Sequence, residues 1–520
     1  MKMLKTATLM IATALMLTAC SPAPTDNGQP PVSEKSGDVV EIVLADGKAS
    51  VDGVPADSNQ ENAVYLANDI VYYEDGKDFT YGEGSVDDAH PDEEAKAHTV
   101  VHITKAGTYS VSGTLPKGQI AIDLGEDAKD DPEAVVTLIL NGVDITCEVA
   151  PAIIFYNVYE CGSDDTEGAV KDVDTSGAGA NVIIADRTEN VVNGSYVARI
   201  YKPDSVVLND EGTEVVDSKK LHKYDGAFYS KTSMNVGGGE EGNGKLTINA
   251  ENEGLDSELH LTVNGGIINI NSGNDGINTN EDGVSVTTIN GGELYIKVNG
   301  ETGEGDGIDS NGWLVINGGL VNAQACSFSG DAGIDSDMGI HINGGTVIAT
   351  GHMLDRIEEG GQNYAVFSFA SKQNGGETVV LKNEADQSVM EACPENGYSI
   401  LIYSAPELSE GKYTLWSDGV QLSGASGKNM MGRPGMNGMR PEGEDMPEMP
   451  RGERPEGFEP PQRPEGQIPE RPEGMEFPQW DKGEEGKVRR PESWGNIEVT
   501  AEFIISNGGN TFQNITVNNG

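Results

Sequence analysis

Positive charge is scarce in this chain. Lys and Arg number 34 against 85 Asp and Glu, a formal net charge of -51 over 520 residues. A surface of that sign repels nucleic acid and anionic membrane, so neither is expected as a direct partner. It suits cation binding, or a heavily solvated surface. A sustained helical period is missing after residue 20, which leaves strands as the building material. No later apolar run reaches the length needed to span a bilayer as a helix. The cysteines beyond Cys20 are Cys147, Cys161, Cys326 and Cys393, with no CxxC spacing to support zinc. Cys147 and Cys161 could bridge outside the cytosol, but small buried hydrophobes are the simpler reading. A GxSxG nucleophile motif, an EF-hand loop and the nonapeptide calcium repeat are all absent.

Glycine is abundant, at 68 residues, and much of it sits in a repeat. Asn-Gly-Gly begins at Asn264, Asn290, Asn317 and Asn343, in steps of 26, 27 and 26 residues. A fixed period in this range marks a solenoid. Before each Asn-Gly-Gly, apolar residues alternate, as in Leu261 and Val263 or Ile340 and Ile342. After it the alternation resumes, as in Ile268 and Ile270 or Val347 and Ala349. Strands place such residues on one face, and one repeat cannot bury that face alone. Gly-Gly offers the positive φ of a sharp corner, and the Asn side chains can bond along the stack. The expected fold is all-β, a parallel β-helix of about 26 residues per coil. Ala227-Phe-Tyr-Ser230 extends the repeat upstream by alignment with Gly254-Leu-Asp-Ser257.

The flanks differ in composition. Lys2, Lys5 and the apolar Leu9–Leu17 run into Leu17-Thr-Ala-Cys20. This resembles the lipobox of bacterial lipoproteins. Residues 1–19 are therefore expected to be a lipoprotein signal peptide and Cys20 the lipidation site. Residues 20–38 would be a flexible tether. The chain would then be extracellular, lipid-anchored to the cell membrane, with the membrane a partner through that anchor only. The β-helix is expected over 39–426. Residues 427–490 are rich in Met, Gly, Pro, Glu and Arg, with Arg-Pro-Glu-Gly at 440, 454, 463 and 471. Such a segment buries too little apolar area to fold, so a disordered insert is expected. Closing strands are expected in 491–520, which puts the insert within the domain. Acidic segments 162–179 and 203–223 read as surface insertions.

Val101-His-Ile-Thr-Lys-Ala-Gly-Thr-Tyr-Ser-Val-Ser-Gly-Thr-Leu115, Leu138-Ile-Leu-Asn-Gly-Val-Asp-Ile-Thr146 and the Gly-Ile-Asp-Ser and Asn-Gly-Gly repeats together resemble the clostridial carbohydrate-binding β-helix family. The resemblance covers roughly residues 99–420. It implies a right-handed parallel β-helix similar to polysaccharide lyases, calcium sites, and binding of cellulose or acidic polysaccharides such as pectate, with no catalysis as its defining property. The acidic insertions and the Arg-Pro-Glu-Gly segment depart from the pattern.

The acids around each Gly-Ile-Asp carry the candidate chemistry. Glu253 and Asp256, Asp275 and Asn278, Asp306 and Asp309, and Asp331 and Asp335 recur with the repeat. Stacked carboxylates repel one another and raise each other's pKa. A Ca2+ ion, taking 6–8 oxygens from carboxylates, carbonyls and water, removes that cost. The competing role is capping of turns by backbone hydrogen bonds. Counting back eight residues from each turn Asn would put Asp282, not Asn278, in the stack. A four-residue insertion after Asn278 is preferred, because Gly276-Ile277 matches the motif. Tyr229, Tyr295 and Trp313 are candidate carbohydrate contacts, against core or turn packing. The functional expectation is calcium-stabilised polysaccharide binding. The first alternative is a calcium-dependent polysaccharide lyase, for which Arg356 is a candidate base. The second is a structural surface adhesin or spacer.

Overall fold

The computed structural model describes residues 39–426 and 499–518. Cys20, the expected signal peptide and tether, and the 427–490 segment lie outside the described residues. The chain is all-β, with mixed sheets. Its helices among the described residues are a single turn at Asp92–Ala95 and a 3-10 turn at Glu126–Asp130.

Three stacks of parallel strands form the body. The first runs through Met234–Gly238, Leu261–Val263, Val286–Ile289, Trp313–Ile316 and Gly339–Ile342. The second runs through Glu189–Gly194, Lys245–Ala250, Ile267–Ser272, Glu293–Val298, Leu320–Gln324 and Thr346–Gly351. The third runs through Ile153–Asn157, Gly226–Ser230, Glu253–Ser257, Ile277–Thr279 and Ile308–Ser310. The alternating apolar residues face one core. Leu261, Val263, Leu294, Leu314, Ile316 and Ile340 are fully buried.

The Asn-Gly-Gly corners have a division of labour. Each Asn donates to the Asn one coil earlier: Asn290 to Asn264 and Asn317 to Asn290 at 2.9 Å, and Asn343 to Asn317 at 2.8 Å. Only the second glycine has a positive φ, 88° at Gly292 and 80° at Gly319. The first is needed for closeness. A Cβ on Gly318 would sit 2.6 Å from the carbonyl oxygen of Asn290. The expectation that both glycines supply positive φ is thus corrected: only the second turns the chain, and both let adjacent repeats touch, since a Cβ on Gly319 would also sit 2.6 Å from the Gly292 carbonyl oxygen. A second amide ladder, unmarked by any glycine motif, runs from Asn271 to Asn249 and from Asn249 to Asn193 at 3.0 and 2.8 Å.

Antiparallel strands lie at both ends. Val64–Ala67 pairs with Thr99–Ile103. Tyr398–Ser404 pairs with Thr346–Gly351. A second apolar cluster gathers Phe367, Leu381, Leu415, Phe503 and Phe512. Gly424 and Ala425 pair with Thr500 and Val499, so the chain leaves and re-enters the same sheet on either side of residues 427–498. Cys147, Cys161, Cys326 and Cys393 are unbridged, and Cys147 and Cys326 are buried.

The amide ladder has a measurable signature. Asn317→Ala breaks two side-chain bonds and Asn290→Ala breaks two, one of them shared. At about 0.5–1.5 kcal/mol net per bond after exchange with water, each single variant should lose on the order of 1–2 kcal/mol. The double variant should lose less than the sum. Urea denaturation in a double-mutant cycle measures this, and strict additivity would rule out the ladder as a coupled unit.

Candidate metal centre

The third stack carries the Gly-Ile-Asp motif. Asp256 is in register with Asn278, and Asn278 with Asp309. Asp282 lies outside that stack and is exposed. Tyr229 is opposite Asp256, which places the upstream repeat in the same register. Parallel strands lie ~4.8 Å apart, so each acid or amide has its counterpart within one strand spacing.

The two polar positions of each motif play different parts. Asp275 Oδ1 accepts from the backbone N–H of Asp306 at 2.7 Å, and Asp306 Oδ1 from that of Ala332 at 2.5 Å. Asp331 Oδ2 accepts from the N–H of Gly305 at 2.6 Å and from the Ser329 hydroxyl. These three therefore fasten one coil to another, as turn caps do. The other position faces its own kind, and Asp306 of the capping position joins it. Asp306, Asp309 and Asp335 bring carboxylate oxygens within 4.8 Å of one another, a grouping made of the described residues. One coil earlier, Asn278 Nδ2 donates to Glu253 Oε1 at 3.1 Å, and Asn280 Nδ2 to Asp256 Oδ1 at 2.6 Å.

Four oxygens of this stack are buried and, with the carboxyl groups ionised, have no hydrogen-bond partner among the described residues. They are Glu253 Oε2, Asp256 Oδ2, Asn278 Oδ1 and Asp335 Oδ1. Leaving such a group unsatisfied costs on the order of 1–3 kcal/mol, and more when it is charged. Burial, and next Asp225, pushes the Glu253 carboxyl up to about 8. Burial and then Asp275 push Asp306 up to about 9. Burial and then Asp355 push Asp335 up to about 7, and burial and then Asp337 push Asp309 to about 6. Asp256 and Asp275 are raised by burial first and by Glu253 second. All-oxygen donors of this density, with unused lone pairs, fit a hard divalent cation such as Ca2+. They do not fit a soft metal, since the grouping among the described residues is made of carboxylates and contains no cysteine.

Sequence reasoning missed Asn280, Asp225, Asp337 and Asp355. Asn280 was recoverable, because it lies two residues after Asn278 on the same strand face. Asp225 and Asp355 reach the site by chain path, and nothing in the repeat announces them.

The aromatic candidates do not converge. Trp313 sits on the first stack, Tyr295 on the second and Tyr229 on the third. Tyr229 is 1% exposed, its ring edge-on to Tyr224 and its hydroxyl donating to Glu258 at 2.6 Å. It packs in the core and offers no face to a sugar, which corrects its assignment as a contact. Trp313 and Tyr295 are half-buried. Arg356 pairs with Glu358 at 2.7 Å and donates to the carbonyl of Met338 at 2.6 Å.

An all-β chain with stacked repeats and a polar ridge of buried carboxylates is the class that the fold and site define. The chain belongs to the carbohydrate-binding domain-containing protein family, whose model matches residues 97–362. It is similar to a carbohydrate-binding domain-containing protein of Acetivibrio thermocellus, 28% identical over 172 residues, which are 33% of this chain and 44% of that protein. The chain thus spans less than half the length of this curated relative. A solved structure titled as the polysaccharide lyase-like protein from C. thermocellum, a gadolinium derivative, is 20% identical, with a TM-score of 0.34 over 60% of this chain and 90% of that one.

The raised carboxyl groups fix a pH dependence for the metal-depleted chain. The unfolded carboxylates have already lost their protons near pH 4. The folded chain keeps them on Glu253, Asp306 and Asp335 until pH rises through about 8, 9 and 7. Between pH 7 and 8 the native state therefore holds the extra protons, and stability falls as pH rises, by about 1.4 kcal/mol per pH unit for each proton retained. His222 and His260, lowered to about 4 by burial, act in the opposite sense mainly below pH 7. Urea midpoints in EDTA should drop from pH 7 to pH 8. A midpoint that rises would refute the buried carboxyl groups as the main source of the pH dependence.

Proposed function

We propose that the chain is an extracellular, lipid-anchored protein that binds polysaccharide through a calcium-stabilised, right-handed parallel β-helix. The observation that carries this reading is the set of unpartnered buried oxygens beside the Asp306, Asp309 and Asp335 cluster. A calcium ion supplies the positive charge that these carboxylates lack. Asp306, Asp309 and Asp335 would hold one ion, and Glu253, Asp256 and Asn278 are suited to a second. Membership of the carbohydrate-binding family supports the ligand class. The three stacks of parallel strands support the solenoid. Lipidation of Cys20 would tether the domain outside the membrane, where glycans are met.

Acidic polysaccharide is the class that a calcium ridge serves best. On a chain of net charge -51, a polyanion binds only where a cation intervenes. A bound ion with open positions can accept uronate carboxylates from pectate.

The full chain should gain thermal stability on adding Ca2+, by about 2.7 kcal/mol at a hundredfold excess over Kd. It should also be retained on immobilised pectate in calcium and released by EDTA. The Asp306→Asn, Asp309→Asn double variant should lose the calcium-induced shift in Tm. A shift that persists in the double variant would falsify the ligand assignment. Absence of calcium-dependent retention on pectate, with the Tm shift intact, would reduce the ion to a structural part.

A further inference from the structure

A cleft of about 830 Å3 is lined by Tyr72, Tyr81 and Tyr201 with Lys77, Asp78 and Lys202, none of them a residue of the acidic ridge. Three segments outside the stacks build it. Gly82 bridges Ile200 in antiparallel fashion, and Tyr201 bridges Lys220. The N–H of Tyr201 donates to the carbonyl of Tyr81 at 2.9 Å, and that of Glu83 to Arg199 at 2.8 Å. On the other side, the N–H of Lys202 donates to Lys219 and that of Leu221 to Ile200, both at 2.7 Å. Tyr81, Tyr201 and Lys220 are therefore directly opposite one another across three adjacent segments, and opposite residues share a face. The close approach needs glycine, because a Cβ on Gly82 would stand 2.4 Å from the Arg199 carbonyl oxygen. Main-chain bonds thus fix the floor of the cleft before any ligand arrives.

We propose that this cleft is a second glycan site, which takes a segment of neutral polysaccharide without calcium. The proposal rests on the carbohydrate-binding reading above and adds a place and a ligand class to it. Tyrosine rings supply apolar faces for the C–H face of a pyranose, and their hydroxyls reach its edges. The polar groups fit hydroxyls rather than charges. Lys77 lies 5.2 Å from the Tyr81 ring centroid and pairs with Glu74 at 2.6 Å. Lys220 lies 4.9 Å from the Tyr201 centroid and pairs with Glu83. Among the lining residues, Lys77 and Lys202 stand against Glu74, Asp78 and Asp204. A polyanion gains nothing from that balance, whereas a neutral polyol can donate to the acids and accept from the lysines.

Native affinity gels with the full chain test this, with hydroxyethylcellulose or xyloglucan as the neutral glycan and pectate as the acidic one, each in EDTA and in Ca2+. Migration in the neutral gels should be retarded equally in EDTA and in Ca2+. Tyr201→Ala and Tyr72→Ala should each weaken that binding roughly tenfold, from the loss of a stacking face. Tyr201→Phe, which keeps the ring, should stay within about threefold. Melting curves of the variants separate lost binding from lost folding. The proposal fails if neutral glycans are not retarded, if EDTA removes the retardation, or if a folded Tyr201→Ala chain binds as before. Pectate retention in Ca2+ without neutral binding would overturn the cleft alone. Neutral binding without pectate retention would support the cleft and overturn the binding of acidic polysaccharide at the ridge.

Discussion

Every repeated position in the three stacks has its copy one strand spacing away, and the rest of the structure follows from that constraint. An apolar copy above an apolar copy builds a continuous core, as Leu294 does between Ile268 and Val321. An amide above an amide gains a hydrogen bond, because each carries both a donor and an acceptor. A carboxylate above a carboxylate gains none, because both are acceptors. The same geometry that makes Asn264 to Asn343 a ladder makes Glu253 to Asp335 a strained ridge.

The ridge is not uniformly acidic. Asn278 stands between Asp256 and Asp309 in register, and its amide donates to Glu253. One neutral donor in the middle divides the carboxylates into two groups. The cap position is tied by main-chain bonds as well, since Asp275, Asp306 and Asp331 each accept a backbone N–H from a neighbouring repeat. Asp306 does both jobs, with one oxygen on Ala332 and a carboxylate oxygen within the Asp309 and Asp335 cluster. That double duty makes it the residue through which cation binding would be felt in coil-to-coil packing.

Much of this was legible in the residues, and the limits have physical causes. The period, the alternating faces and the Asn ladder follow from local rules that hold at every copy. The placement of Asn278 rather than Asp282 followed from Gly276-Ile277, since register is set by the motif and not by counting from a distant turn. The closeness that both paired glycines allow was not legible, because it depends on the neighbouring repeat and not on the turn itself. Tyr229 was misread because a ring at a repeat position looks alike from sequence whether it faces core or solvent. The cleft was invisible because Tyr81 and Tyr201 are brought together by pairing across more than a hundred residues.

Reversed strands close two of the stack ends. An exposed parallel edge repeating one coil would accept another chain by the same bonds that hold its own coils. Here Val64–Ala67 lies antiparallel on Thr99–Ile103, and Tyr398–Ser404 lies antiparallel on Thr346–Gly351. A reversed strand cannot propagate a parallel register, so the N-terminal end of the third stack and the C-terminal end of the second offer no repeat to a second copy. The segment 427–498 departs from and returns to strands beyond this reversal, at Ser426 and Val499. Its length is therefore decoupled from the coil period. A chain can carry such an insertion without shifting one residue of the ridge, as it also does in the loops between Ile277–Thr279 and Ile308–Ser310, whereas a single residue inserted within one of those paired strands would move its carboxylate or amide from one strand face to the other.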